Sequence, residues 1–294
     1  MATIITDLKE TFRRGNIYIQ LIYINVAVFI LTTLTEVMFQ LFNRSIAGVF
    51  EWLELPASVL RFILQPWSLL TYMFMHAGFM HILFNMLWLY WFGALFLSFF
   101  SAKHLRGVYI LGGICGGLLY MAAYNIFPYF RPMTDYSFML GASASVLAIV
   151  AAYREPNYPI RLLLFGTIRL KYLALIVIGT DLLFITSSNA GGHIAHLGGA
   201  LAGVWFAASL SKGSDLTSWI NKCLDTLVSI VSFKPRKPKM KVHYGTGKQK
   251  DYDYNARKKA QSDEIDRILD KLKKSGYESL TTEEKKSLFD ASKR

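Results

Sequence analysis

The 294-residue sequence is poor in charge and in cysteine. Only 18% of its residues are Asp, Glu, Lys or Arg, whereas 53% are hydrophobic, and the mean hydropathy is +0.32. An intrinsically disordered chain is excluded, because such chains have few apolar residues. The two cysteines, Cys115 and Cys223, lie far apart in sequence, so a disulfide-stapled scaffold and a CxxC metal or redox pair are excluded as well. The composition instead indicates a protein that resides in lipid.

Six apolar stretches follow one another, and each approaches the ~20 residues that a helix needs to cross a bilayer. They are Ile17–Phe42, Phe79–Phe99, Leu105–Phe127, Phe138–Tyr153, Tyr172–Ser187 and His193–Leu210. We therefore predict an all-α polytopic membrane protein, a bundle of six transmembrane helices over residues 17–210. The fourth and fifth stretches are short for a lipid-facing span, which favours helices held inside the bundle beside water-accessible space.

Basic residues are unevenly divided between the two ends of these helices. Lys9, Arg13, Arg14, Lys103, Arg106, Arg154, Arg161, Arg169 and Lys171 fall on one side, against Arg44, Arg61 and Arg131 on the other. The positive-inside rule then predicts that both termini are cytoplasmic. No Arg- and Ser-rich presequence precedes the first stretch, so we expect an integral protein of a bacterial cytoplasmic membrane.

The C-terminal part of the chain carries most of the net charge of +12, since residues 212–294 hold 20 Lys or Arg against 12 Asp or Glu. A basic tail beside apolar helices favours anionic lipid over nucleic acid as its partner. Around the bundle we predict a cytoplasmic N-terminus (1–16), an amphipathic helix with a polybasic segment (211–241, the lipid-binding run being 234–241), a linker (242–261) and a small helical hairpin (262–294). Within the hairpin, Thr281 and Glu284 have the spacing of a capping box.

Polar residues inside the apolar stretches are candidate functional groups, because they are costly to bury in lipid. His81 and Asn85 share one face of the second helix, Ser143 lies in the first turns of the fourth, and His196 lies near the start of the sixth. At ~1.5 Å per residue, Ser143, His196 and Asn85 all fall ~6–9 Å below the outer surface. An outward-opening, water-accessible cavity accounts for this common depth.

These residue types fit nucleophilic attack on a carbonyl. A serine needs a base, for which histidine is the usual choice, and the resulting anion needs oriented donors. Ser143 and His196 suit the first two roles, while first-turn N–H groups and the side chains of His81 and Asn85 suit the third. Gly199 and Gly203, on the same face as His196, form a GxxxG pattern that lets another helix approach closely.

The motifs HxxxxHxxxN (His76 to Asn85), GxSx (from Gly141) and AHxxGxxxG (Ala195 to Gly203), in this order, resemble the rhomboid family of intramembrane serine proteases. The resemblance covers about residues 17–210. It implies that Ser143 is the nucleophile and His196 the general base, acting as a dyad without a cofactor or metal. It implies an oxyanion hole formed by His81, Asn85 and the Ser143 backbone N–H, a structural role for His76 beneath the first outer loop, and transmembrane proteins as substrates.

The sequence departs from the family pattern at two positions. Ser68 stands where many members have an arginine that holds the first outer loop, which leaves the packing of that loop open. Ala144 follows the serine where glycine is common, and alanine is small enough to leave the nucleophile accessible.

Several alternatives stay open at this stage. Ser145 and His193 are rivals of Ser143 and His196, although Ser145 points ~200° away from Ser143 around the helix. Asp181 is interpreted as a structural residue, either protonated or hydrogen-bonded within the bundle. A four-histidine metal site (His76, His81, His193 and His196), a catalytically silent relative that binds transmembrane helices, and a small transporter or channel are the remaining hypotheses.

Overall fold

The computed structural model describes residues 6, 10–12, 15–153, 155, 157–162, 166–231 and 247–292, which are mostly helical. The chain divides into two compact units, Met1–Phe233 and Lys234–Arg294. The first unit holds all six apolar stretches, and the second holds the predicted hairpin. The polybasic run 234–241, together with residues 242–246 of the predicted linker, lies outside the described residues.

The first unit is a helical bundle with short connecting strands. In chain order its elements are α1 (Ile17–Leu41), α2 (Ala47–Phe50), β1 (Leu55–Pro56), α3 (Val59–Leu64), α4 (Ser68–Thr71), a 3-10 turn (Tyr72–Phe74), α5 (Phe79–Leu97), α6 (Ala102–Ile126), a second 3-10 turn (Arg131–Met133), β2 (Phe138–Met139), α7 (Ser143–Ala151), β3 (Pro159–Leu162), β4 (Gly166–Arg169), α8 (Leu170–Leu183), α9 (Ala190–Ser211) and α10 (Ser218–Val231). β1 pairs antiparallel with β2, with Leu55 opposite Met139, and β3 pairs antiparallel with β4.

Within the described part of the chain, four helices, α1, α5, α6 and α9, are long and apolar enough to cross a membrane. Helices also occupy the fourth and fifth predicted stretches, but α7 has only nine residues and α8 has 14. The start of α7 is fixed by its surroundings: residues Phe138–Met139 are paired as β2, and Gly141 adopts a φ of +130° that helical residues do not adopt. The apolar run at Phe138 therefore begins as a strand and becomes a helix only at Ser143.

Helix α7 lies at the centre of the bundle, and its residues from Ala144 to Ala151 are all buried. Glycines on α9 allow its backbone to approach that of α7. A Cβ atom on Gly199 would overlap the carbonyl oxygen of Ala144, and one on Gly203 would overlap that of Ala148. The predicted GxxxG contact is therefore present, and α7 is its partner.

Another face of α7 packs closely against glycines of α6. A Cβ atom on Gly116 would lie 2.7 Å from the Cβ of Ala144, and one on Gly112 would overlap the Cβ of Ala148. Ala144, the residue at which the sequence departs from the family's glycine, thus fits because α6 presents glycine opposite it. Dispersion contacts at this density replace the hydrophobic driving force that is absent between helices in lipid.

Helix α1 covers the bundle from outside, with Leu21 and Asn25 as its buried residues. Asn25 donates hydrogen bonds from Nδ2 to the Leu21 carbonyl (2.8 Å) and to the Tyr109 hydroxyl (3.2 Å), so its amide nitrogen is satisfied inside an apolar helix, while its Oδ1 is buried without a partner. Large apolar side chains such as Leu31 and Leu34 are exposed on its other faces. Exposed apolar surface on helices of this length and hydropathy belongs in lipid, and the protein is an integral membrane protein.

The amphipathic helix predicted after the bundle is present as α10. It is held to the first turns of α6 by Arg106, which donates to Asn221 Oδ1 (2.9 Å) and Asp225 Oδ1 (2.8 Å). The hydrogen bond from Arg106 lowers the pKa of Asp225 from its ordinary value. Trp219 and Leu227 are exposed on α10.

The second unit contains α11 (Gly247–Ser275), a 3-10 turn (Tyr277–Ser279) and α12 (Thr282–Ser292). The prediction of a linker over 242–261 is wrong from residue 247 onward, because α11 begins at Gly247. Residues 248–261 lack apolar periodicity but contain several strong helix formers and neither glycine nor proline, so they extend the helix. The capping box is confirmed: Thr281 N–H donates to Glu284 Oε2 (2.9 Å), and Glu284 N–H donates to Thr281 Oγ1 (3.3 Å).

We expect Gly199→Ala to destabilise the bundle by about 1–3 kcal/mol, because the added methyl group forces α9 away from α7. Gly179→Ala on α8 is the matched control, since a Cβ atom there meets nothing within 4 Å. The free energy of unfolding of each variant is measured by titrating detergent-solubilised protein with sodium dodecyl sulfate. Equal stability of the two variants would contradict the close packing of α9 on α7.

The cap of α12 should weaken in acid. The hydrogen bond that Lys271 donates to Glu284, at 2.8 Å, lowers the pKa of Glu284 below its ordinary value of 4.5. The ionised carboxylate therefore stabilises the folded unit above this value, and the contribution is lost as the pH falls through the lowered pKa. Hydrogen exchange of the full chain should show that α12 amides lose protection between neutral and strongly acidic pH. Glu284→Gln should abolish this pH dependence, whereas the neighbouring Glu283→Gln should retain it.

Candidate active site

A cavity of about 880 Å³ lies at the end of the bundle where α7 begins. Side chains from α5, α6, α7, α8 and α9 line it, together with the segment around β2. Ser143, His196, His81 and Asn85 are all among its lining residues. The structure therefore brings together four side chains that the sequence analysis selected from three separate helices.

Ser143 is the first residue of α7, where backbone N–H groups have no acceptor within the helix and the helix dipole is positive. Gly141 precedes it with a φ of +130°, and its N–H donates to the Tyr72 carbonyl (2.9 Å). The Cβ position of Gly141 lies 2.9 Å from His81 Nε2 and 3.8 Å from Ser143 Oγ. A side chain at this position would therefore be strained in φ and would press against His81.

Hydrogen bonding sets the tautomer of His81. The backbone N–H of Ala77 donates to His81 Nδ1 at 3.4 Å. A neutral imidazole that accepts at Nδ1 carries its proton on Nε2, the atom that flanks the Gly141 position beside Ser143. His81 is thus arranged as a donor toward the serine.

Asn85 lies one helical turn after His81 on α5 and is buried. Its amide Nδ2 donates to the His81 carbonyl at 2.9 Å, which fixes the side chain against its own helix. An amide nitrogen has two N–H groups, and the second is left for a group in the cavity. Asn85 and His81 therefore form a pair of donors on one face of α5.

His196 differs from His81 in its hydrogen bonding, because its Nδ1 faces an acceptor and not a donor. Its Nδ1 lies 2.9 Å from Asp181 Oδ1, and the Nδ1 of His193 lies 2.8 Å from the same oxygen. A carboxylate accepts hydrogen bonds, so the Nδ1 of His196 carries the proton and its Nε2 is left with a lone pair. No hydrogen bond joins Ser143 to His196 in the described structure, although both side chains line the cavity.

The contact between Asp181 and His196 was missed by the sequence analysis, which found no acidic residue within the motifs. Asp181 lies on α8, 15 residues before His196, and no motif spacing connects them. The available signal was the cost of a lone carboxyl group in an apolar helix, which requires a partner nearby. Asp181 is buried, and this partner is a pair of histidines.

The alternative candidates, Ser145 and His193, do not line the cavity. Ser145 is fully buried and does not line the cavity, and its Cα lies 3.3 Å from the Cβ position of Gly112 on α6. His193 is also absent from the cavity lining, and its ring packs 6.1 Å from that of Phe184. Of each pair, the residue favoured from the sequence is the one that faces the cavity.

The loop between α1 and α5 does not depend on an arginine at position 68. Gln65 Nε2 donates to the carbonyls of Glu51 (3.0 Å) and Glu54 (3.1 Å), and Trp67 Nε1 donates to that of Trp52 (2.8 Å). Ser68 is fully buried beneath these contacts. The neighbours of Ser68 therefore hold two parts of the loop together.

His76 lies at the base of this loop and is buried. Its Nδ1 is 3.3 Å from the Phe74 carbonyl oxygen, and its ring meets that of His81 edge-on, with 5.1 Å between the centroids. These contacts place His76 directly behind His81, where it limits movement of the His81 ring.

Among the described residues, a different group from the four histidines has the geometry to hold a metal ion. Asp181, His193 and His196 place their ligand atoms within 4.8 Å of one another. Two imidazoles and a carboxylate are a donor set that suits zinc. His196 faces this group through Nδ1, and a neutral imidazole that binds a cation at Nδ1 carries its proton on Nε2, so a bound cation and a free base at His196 Nε2 exclude each other.

Comparisons with known proteins agree with this architecture. A family model described as the Rhomboid domain matches residues 64–213, about half of the chain, and a family of unknown function (DUF6576) matches residues 248–294. The chain is 30% identical over 157 residues to RHOMBOID-like protein 12, mitochondrial, of Arabidopsis thaliana, a match that covers 50% of this chain and 47% of the relative. The chain thus spans about half the length of this curated relative. By the extent of the Rhomboid domain match, the chain belongs to the rhomboid family.

Proposed function

We propose that this protein is an intramembrane serine endopeptidase that cleaves transmembrane segments of other membrane proteins. One observation carries the proposal: a serine at a helix N-terminus, a histidine whose Nδ1 is bonded to a carboxylate and two further polar side chains all line one cavity. The combination supplies a nucleophile, a base and an oxyanion site, which are the three requirements of acyl transfer.

In the first step, Ser143 Oγ attacks the carbonyl carbon of the scissile peptide bond while His196 Nε2 takes the hydroxyl proton. The negative charge that forms on the carbonyl oxygen is stabilised by the Ser143 backbone N–H and by the side chains of His81 and Asn85. The C–N bond then breaks, and the imidazolium of His196 gives its proton to the leaving amine. The product is an ester between the substrate and Ser143.

In the second step, a water molecule attacks this ester while His196 Nε2 takes one of its protons. The C–O bond to Ser143 breaks, and the proton passes from His196 to Ser143 Oγ, which restores the enzyme and releases the carboxylic acid. Hydrolysis therefore requires that water reach Ser143 from the cavity, although α7 is otherwise buried.

In this proposal α7 and α8 are embedded in the membrane beside the four long helices, so that six helices form the protease bundle. Both termini face the cytoplasm of a bacterium, and the cavity opens on the opposite side of the membrane. The segment 234–241 binds anionic lipid.

The alternative is a catalytically silent relative that binds transmembrane helices. It is favoured by one observation, the lack of a direct hydrogen bond between Ser143 and His196. Catalytic hydrogen bonds are often long in the absence of substrate and shorten in the complex, so this observation leaves the endopeptidase as the better supported function. The two functions differ in the reactivity of Ser143, because binding alone needs no activated serine.

We expect a fluorophosphonate probe to label the purified protein in detergent at Ser143, as located by mass spectrometry. Because His196 supplies the base, His196→Ala should slow labelling by about 100-fold or more, and Ser143→Ala should abolish it. His193→Ala should slow it far less, since this ring does not line the cavity.

Folding of each variant is checked by gel filtration and circular dichroism, and a serine protease of known activity in the same detergent serves as the positive control. A folded but unlabelled wild type would favour the helix-binding alternative. Loss of labelling in His193→Ala but not in His196→Ala would reverse the assignment of the base.

Water access to position 143 can be tested without catalysis. In a background of Cys115→Ala and Cys223→Ser, we expect Ser143→Cys to react with a water-soluble methanethiosulfonate reagent. Ser145→Cys is the matched control and should stay unmodified, because position 145 is fully buried against α6. Modification at 145 but not at 143 would contradict the proposed site.

A further inference from the structure

We propose that Asp181 is a positioning residue of this site, an acceptor that holds the imidazole of His196 with its Nε2 lone pair toward the cavity. The inference rests on the proposed function, since it gives the proposed base an orienting partner on a different helix. The motifs that identify the family contain no residue in this role.

The geometry is that of a strong hydrogen bond. Asp181 Oδ1 lies 2.9 Å from His196 Nδ1, within the range of charge-assisted bonds. The side chain of Asp181 is 5% exposed, so little water reaches the carboxylate to compete for the proton of His196. Asp181 itself lines the cavity, and α8 is in contact with α9.

The hydrogen bond between Asp181 and His196 fixes both the position and the tautomer of the His196 ring. An imidazole that donates from Nδ1 to a carboxylate presents an unprotonated Nε2, as a general base requires. His81 has the reverse arrangement, because it accepts the Ala77 N–H at Nδ1 and carries its proton on Nε2. The two histidines of the cavity are thereby set as one acceptor and one donor.

His193 completes the environment of the carboxylate. Its Nδ1 donates to Asp181 Oδ1 at 2.8 Å, so two N–H groups share one oxygen, while Asp181 Oδ2 is buried without a partner. Both bonds come from α9, so the two histidines hold Oδ1 together. His193 therefore supports Asp181 by sharing the oxygen that accepts from His196.

The central test is Asp181→Asn, which keeps the shape of the side chain. An amide can present its N–H to His196 Nδ1, which would move the imidazole proton to Nε2 and remove the base. We expect fluorophosphonate labelling of Ser143 to slow by about 100-fold or more. Asp135→Asn is the matched control, since it removes the same charge from an exposed loop residue and should label at the wild-type rate.

A second measurement reports the tautomer directly. Nitrogen-15 NMR of histidine-labelled wild-type protein in detergent, with His196 assigned by its loss in His196→Gln, should show a protonated Nδ1 and an unprotonated Nε2 while the ring is neutral. In Asp181→Asn the proton should move to Nε2. This measurement needs no catalytic turnover, and its wild-type arm stays decisive if Asp181→Asn fails to fold.

The outcomes separate the inference from the proposed function. A wild type that labels, together with Asp181→Asn that labels as fast as Asp135→Asn, would overturn the role of Asp181 and leave the endopeptidase standing. A wild type that never labels would reject the endopeptidase, while the NMR result would still decide whether Asp181 sets the tautomer of His196. A proton on Nε2 of wild-type His196 would also overturn the role.

Two further experiments test other roles for Asp181, His193 and His196. His193→Gln retains a donor side chain and should slow labelling far less than Asp181→Asn; an equal loss would mean that Asp181 acts only by holding His193. Treatment with a chelator should leave labelling unchanged. If the chelator abolished labelling and zinc alone restored it, the cluster of Asp181, His193 and His196 would be a metal site and the proposal would be wrong.

Discussion

The close approach of three backbones at α7 is the constraint on which the rest of the first unit depends. Glycines of α9 meet the carbonyl groups of Ala144 and Ala148, and glycines of α6 meet the Cβ atoms of the same two residues. A helix clamped in this way cannot rotate without a clash, so the direction of its first residue is fixed by packing. Ser143 therefore keeps its place in the cavity although the helix that carries it is only nine residues long.

Polar contacts then give the cavity its chemistry. Ser143 lies at the positive end of α7, while His81 and His196 approach from α5 and α9 with opposite hydrogen-bonding partners at Nδ1. In each case the partner belongs to rigid structure: a backbone amide next to α5 and a buried carboxylate on α8. Hydrogen bonds of this kind are stronger where water is scarce, which favours a preorganised site over one that is assembled by the substrate.

Much of this arrangement was predictable from spacing alone. The second, fourth and sixth stretches carried Asn85, Ser143 and His196 at one depth, and the GxxxG pattern identified the face of α9 that packs most closely. The length of α7 was not predictable, because the apolar run before Ser143 looks the same whether it pairs with β1 or continues a helix. Nor was the contact of Asp181, since pairing between helices depends on the tertiary fold and leaves no period in the sequence.

The packing of α7 between α6 and α9 also sets an order of assembly during synthesis. The chain leaves the ribosome with Ser143 some fifty residues ahead of His196, and the groove that seats α7 is complete only once α9 has packed against it. Until Ala190–Ser211 has entered the membrane, the serine lacks both its histidine and half of its support. Under the proposed function, Ser143 therefore becomes reactive only after the last long helix has packed against α7.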